Sequence, residues 1–155
     1  MSSYAFFEWL TSSPWANAMN GPEWAFPVVE SLHFIGFALL IGTIAIVDFR
    51  LLGLMRRLQE PAELAAALNR FTLAGLALML TTGPLMFSAD AVRYHVNPSF
   101  QIKMNVLLVT LVFYFAIHRR LVRRGLSPMM AKVLAVVSLT LWTTVIGAGR
   151  MIAFV

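Results

Sequence analysis

Four long apolar stretches, separated by short polar segments, dominate the pattern along the chain. In the first of them, no ionisable residue occurs between Phe34 and Val47. A bilayer core about 30 Å thick is crossed by about 20 mostly apolar residues in a helix. A single stretch in hydrocarbon can pair its own backbone groups only as a helix. The pattern therefore predicts four membrane-spanning helices, at about residues 27–54, 62–88, 100–122 and 127–154. It also predicts a polar loop from Asp90 to Gln101.

The connections between these helices are short, which favours antiparallel neighbours. Small and hydroxyl residues at three-to-four spacing in the fourth helix, among them Ser138 and Gly147, are typical of close helix packing in lipid. The predicted fold class is therefore all-α: an integral membrane four-helix up-down bundle, with residues 1–155 as a single transmembrane domain. Residues 1–26 are rich in aromatic side chains but lack Lys and Arg, unlike a signal peptide, which has a basic start. We expect this arm to be an amphipathic segment at the membrane interface, with a lid over the bundle as the alternative.

Composition supports a membrane protein and excludes several other classes. Of the 155 residues, 59% are hydrophobic and 12% are charged, against about 25% charged residues in soluble domains. The absence of cysteine excludes disulfides, iron–sulfur clusters and thiol chemistry. The net charge of +5 comes from basic residues near the helix ends, so it indicates membrane topology and not nucleic-acid binding.

The basic residues are unevenly divided between the two ends of the predicted bundle. The connections between helices one and two and between helices three and four carry Arg50, Arg56, Arg57, Arg70, Arg119, Arg120, Arg123, Arg124 and Lys132. The opposite end has only Arg93, Lys103 and the terminal Arg150. Because Lys and Arg accumulate on the cytoplasmic side, we expect a multi-pass protein of the bacterial inner membrane with both termini in the periplasm. We call these two ends the basic side and the outer side.

Ionisable residues inside membrane spans are costly, and they usually face the bundle interior and have partners there. The up-down order sorts those of this chain into two polar layers. We expect an outer layer with a Glu30–Arg150 pair beside His33 and Lys103, and an inner layer with an Asp48–His118 pair. These groups form a polar network that handles protons or solutes, or they only neutralise one another.

Histidine is also a haem ligand, and apolar helical bundles hold haem. His33 and His118 are the candidate cofactor-binding residues, as ligands of the iron of a haem b. They lie roughly 22 Å apart in depth, so one iron cannot bind both. His33 would pair with His95, a water, a methionine or its own copy in an oligomer. The Glu30-x-x-His33 spacing of di-metal bundles occurs once and lacks the second copy that such a site needs.

Several motifs are spread over nearly the whole chain: Glu30-Ser31-Leu32-His33, Asp48-Phe49-Arg50-Leu51-Leu52-Gly53, Thr82-Gly83-Pro84-Leu85-Met86-Phe87, Asn97-Pro98-Ser99-Phe100-Gln101-Ile102-Lys103, Phe115-Ala116-Ile117-His118 and Gly149-Arg150. Together they resemble a family of small four-helix bacterial membrane proteins that is catalogued as a domain of unknown function. The resemblance implies a four-helix membrane fold and supplies no reaction. The family's tryptophan after Gly149-Arg150 is replaced here by Met151.

Two functional hypotheses follow from the sequence. The first is a non-enzymatic helical module: an oligomerising accessory protein, a scaffold or a module that handles protons or a small solute. Its partners would be the lipid bilayer and further copies of the chain or a larger membrane complex. The second is a b-type haem protein that transfers electrons. No Ser-His-Asp order, phosphate loop or nucleotide fingerprint is present, so we assign no catalytic residue and no definite cofactor.

Overall fold

The computed structural model describes residues 3–55 and 59–154, except for the side chains of Ser3 and Ala153. Met1, Ser2 and Val155 of the predicted domain, and Arg56 and Arg57 of the predicted basic side, lie outside the described residues. The elements are α1 (Ser3–Thr11), α2 (Pro14–Asn20), α3 (Ala25–Leu51), α4 (Pro61–Ala89), α5 (Ala91–Val96), α6 (Pro98–Phe113), a π-helical turn (Tyr114–His118), α7 (Arg119–Arg124), α8 (Pro128–Met151) and a 3₁₀ turn (Ile152–Phe154).

Four helical rods are long and apolar enough to cross a membrane: α3, α4, α8 and the continuous unit Pro98–Arg124. The rod α3 packs extensively along α4, and α6 packs along α8. Contacts of α3 with α8 and of α4 with α7 close the arrangement into a four-helix bundle. The predicted all-α fold with four long apolar helices is therefore confirmed, and the chain is a multi-pass membrane protein.

The backbones of α3 and α4 meet at two glycines. A Cβ atom added to Gly75 would lie 2.5 Å from the Leu40 backbone nitrogen and 2.7 Å from the Gly36 carbonyl oxygen. Small residues of this kind let helices approach closely in lipid, where van der Waals packing drives association. The sequence pattern pointed to the small residues of α8 for this role. A Cβ atom on Gly147 of α8, however, would meet no described atom within 4 Å.

The outer end of the bundle contains more helix than the sequence pattern predicts. The segment from Asp90 to Gln101 is expected to be a polar loop, but it contains α5 and the start of α6. Two local features make α6 begin at Pro98. Oδ1 of Asn97 accepts a hydrogen bond from the Phe100 amide at 3.1 Å, and proline suits the first helical position. The loop prediction is therefore wrong from Ala91 onward.

The N-terminal arm folds into α1 and α2, which cover the outer end of α4 and α5. The Asn20 side chain donates to the Ala89 carbonyl at 2.9 Å, and the Phe7 ring stacks on His95 with centroids 3.9 Å apart. Trp9 and Trp15 remain exposed. These contacts fix the arm on the bundle, while its place at the membrane interface stays a prediction.

Candidate functional site

The third span changes its helical geometry where it carries its histidine. Residues Tyr114–His118 form a π-helical turn between α6 and α7. Such turns are rare, and they occur frequently at functional sites because they re-aim the side chains that follow. His118 is only 2% exposed, whereas the preceding Ile117 is 46% exposed to the surroundings of the bundle. The π-turn thus ends with its histidine side chain in the interior.

His118 meets Asp48 of α3 in that interior. Its Nε2 lies 2.7 Å from Oδ1 of Asp48, and the aspartate is completely buried. A carboxylate in an apolar interior is costly unless it is paired and hydrogen-bonded, and hydrogen bonds to a charged group are short and strong. The structure therefore brings together the inner pair that the depths of these residues predict.

Two neighbouring oxygen atoms of this site have no hydrogen-bond partner. They are Oδ2 of Asp48 and Oγ of Ser138, which comes from α8 and is 1% exposed. The Ser138 hydroxyl lies close enough to Asp48 to act on its carboxylate as a weak hydrogen-bond donor would, although the geometry of the two groups falls short of a full hydrogen bond. A buried polar atom without a partner needs an explanation, such as a water or a proton. A proton on Oδ2 would supply one, since the acid could then donate to the serine hydroxyl.

A cavity of about 20 Å³ lies beside His118, between α3, α4 and the π-turn. This volume is enough for about one water molecule. The Tyr114 ring stacks on His118 along one wall, with centroids 5.5 Å apart. The hydroxyls of Thr43 and Thr72 share a hydrogen bond of 2.8 Å on another wall. The other polar lining residues are Asn69, Arg119 and Arg123. Because both arginines belong to α7, the cavity opens toward the basic side.

An apolar layer separates this site from the outer side. Leu40 and Ile44 of α3 pack against Trp142 of α8, and all three side chains are at most 3% exposed. Along α3 they lie between His33 and Asp48, which are roughly 22 Å apart along the helix axis.

The outer layer is built around His33 and Lys103. His33 is half-buried, and its Nδ1 lies 2.7 Å from the Thr82 hydroxyl of α4. Lys103 is close enough to influence His33 electrostatically. The lysine stem lies against Gly149, where an added Cβ would be 3.5 Å from Cε. These residues of all four spans thus meet at one level.

The expected Glu30–Arg150 pair is not formed. Within residues 3–55 and 59–154, no ion pair joins these two side chains, and the Arg150 guanidinium instead lies 5.9 Å from the centre of the Phe154 ring. Glu30 lies close enough to Tyr94 of α5 to act on it electrostatically. Burial raises the pKa of the Tyr94 phenol, and the negative charges of Asp90 and Glu30 raise it further.

In the described part of the chain, each histidine has a contact of its own and no contact joins two histidines, so haem binding stays a prediction. His118 uses its Nε2 on Asp48 in the inner layer, and His33 uses its Nδ1 on Thr82 in the outer layer. His95, the other expected partner of His33, stacks on Phe7. In the described part of the chain, no group of three or more His, Cys, Asp or Glu residues is placed to hold a metal ion.

Sequence reasoning missed most of the groups around the inner pair. Ser138 counted only as a small residue for helix packing, and Thr43 and Thr72 gave no signal beyond hydroxyls in apolar stretches. One signal was available for Tyr114. It precedes His118 by about one helical turn, which places two rings on one face.

Comparison with known proteins places the chain in a family without assigning it an activity. No curated protein and no solved structure matches the chain. The model of one family, described as a family of unknown function (DUF6644), matches residues 6–155. This match covers the aromatic arm, the four spans and both polar layers, and the chain belongs to that family.

Proposed function

We propose that this protein is a proton-responsive module of the membrane, in which the Asp48–His118 pair takes up and releases a proton from the basic side. The observation that carries the proposal is the 2.7 Å contact between two fully buried ionisable groups beside a cavity of water size. Histidine is the side chain whose charge ordinarily changes near neutral pH, and ionisable groups with perturbed surroundings cluster at functional sites.

The pair offers the proton two places. A proton delivered through the cavity converts His118 to imidazolium, which stays hydrogen-bonded to the Asp48 carboxylate. A proton on Oδ2 instead gives a neutral acid that can donate to the hydroxyl of Ser138. Because the three residues belong to α3, the third span and α8, the position of the proton changes how these helices are held together.

The direction of access follows from the surroundings of the pair. The cavity reaches toward Arg119 and Arg123, while Leu40, Ile44 and Trp142 close the core toward the outer side. The positive-inside rule supports the basic side as cytoplasmic, with both termini periplasmic in a bacterial inner membrane. The exchanged proton would then come from the cytoplasm.

Infrared spectroscopy of the full-length protein in lipid nanodiscs tests this proposal. On acidification, we expect a C=O stretch of a protonated carboxylic acid in an apolar setting, which Asp48→Asn removes. Glu63→Gln is the matched control, because Glu63 is an exposed carboxylate near the basic end of α4. An acidification spectrum that is the same for Asp48→Asn and for the unchanged protein would contradict the proposal.

We further infer that the module works as an oligomer, which the exposed small-residue stripe of α8 supports. Thr140, Thr144 and Gly147 are exposed and lie on one helix face, and small residues favour close helix contacts in lipid. We expect a defined oligomer in mild detergent that Gly147→Leu disrupts, as measured by size-exclusion chromatography with light scattering. A monomer, or an oligomer that the substitution leaves unchanged, would contradict this inference.

A further inference from the structure

A second feature of the bundle lies on its outside, at the seam between the third and fourth spans. An apolar groove of about 260 Å³ runs along this seam and opens to the lipid-facing surface. Its walls are formed by Phe113, Leu121, Met129, Met130, Val133 and Val137. Met129, Met130 and Val133 are each more than half exposed. The groove lies next to residues 125–127, the connection between α7 and α8, and therefore near the basic side.

Exposed cations border this groove at its end near the connection. Arg124 follows the groove residue Leu121 by about one turn of α7, and Lys132 lies between Met129 and Val133 on α8. Residues at this spacing are neighbours on a helix surface. In the described part of the chain, neither cation forms an ion pair. Positive charge is thus available beside the apolar groove, at the level where lipid headgroups lie.

An anionic phospholipid matches both halves of this feature. Its acyl chain is apolar and flexible, so it can fill an apolar groove that has the volume of several water molecules. Methionine side chains adapt their shape readily to such a chain. Its phosphate is held at the membrane surface, where arginine and lysine bind it. A second copy of the chain would bring its own cations to the same place, and like charges would oppose that contact.

We propose that the seam of α6–α7 with α8 is a binding site for one anionic phospholipid. The acyl chain lies in the groove between Phe113 and Val137, and Arg124 and Lys132 bind the headgroup phosphate. This lipid site is separate from the Asp48–His118 pair, so its test does not depend on the proton-responsive function.

Native mass spectrometry of the purified full-length protein tests the proposal, with phosphatidylglycerol and phosphatidylcholine offered in equal amounts. We expect one retained phosphatidylglycerol and a preference over phosphatidylcholine that falls by roughly twenty-five-fold in the R124Q/K132Q variant. This estimate follows from the factor of about five that each cation contributes near an anionic surface. A V137W substitution fills the groove and should abolish retention of the lipid. The matched control is R70Q/R93Q, which removes two exposed arginines away from the groove and should behave as the unchanged protein.

Three outcomes would overturn the proposal. The first is equal retention of both lipids by the unchanged protein. The second is an equal loss in R70Q/R93Q, which would mean that total charge and not this site governs retention. The third is a lipid-free dimer that V137W dissociates, because the groove would then hold a second copy of the chain.

Discussion

Replacing His118 by alanine is expected to lower the free energy of unfolding by about 3–5 kcal/mol, since it leaves a buried charge without its partner. Asp48 is 0% exposed, and its Oδ2 already lacks a hydrogen bond. The substitution would take the partner of Oδ1 as well. Reversible unfolding in mixed micelles with increasing sodium dodecyl sulfate measures the effect.

Two further variants distinguish the effect of breaking the Asp48–His118 pair from the effect of losing a packed ring. Asp48→Leu combined with His118→Leu removes both polar groups, and we expect it to be close to the unchanged protein or more stable, because apolar replacement of a buried pair is often neutral. His95→Ala removes a half-buried ring that stacks on Phe7 at the outer end and should cost much less. A double variant as unstable as His118→Ala would show that the ring packing, and not the pairing, stabilises the bundle.

Replacing Gly75 by alanine is expected to cost at least about 1–3 kcal/mol, the usual cost of overpacking. The added Cβ would lie 2.5 Å from the backbone nitrogen of Leu40. Backbone atoms cannot rotate away as a side chain can, so α3 and α4 must separate. Gly42→Ala in α3 is the control, because its Cβ would meet nothing within 4 Å. The same micelle titration measures both variants, and similar stability for the two would contradict the close approach of α3 and α4.

The four spans were predictable because they depend on the average hydropathy of a long stretch and not on individual contacts. Hydrocarbon requires an apolar stretch of fixed length, and this requirement can be counted along the sequence. Helix α5 was not predictable in the same way, because Asp90 to Gln101 reads as polar. The start of α6 at Pro98 depends on a local cap by Asn97. The contact between Gly36 and Gly75 depends on which helix faces meet, and one sequence does not record that.

The candidate site was predictable as far as the depth of each residue in the membrane determines which side chains can meet. Asp48 and His118 fall at the same level of an up-down bundle, and they are in contact. Glu30 and Arg150 also share a level, yet no described ion pair joins them, because equal depth does not fix azimuth. The π-turn at Tyr114–His118 has no signature in composition or spacing. Because Tyr114 and His118 of this turn line the cavity, the cavity could be found only in the three-dimensional structure.

The most direct test of the central claim is nitrogen NMR of the full-length protein in nanodiscs, with the histidine rings labelled with ¹⁵N. We expect the Nε2 signal of His118 to report a strong hydrogen bond to a carboxylate and to shift in Asp48→Asn, while the signals of His33 and His95 stay in place. A His118 signal that averages both tautomers and ignores Asp48→Asn would contradict the account.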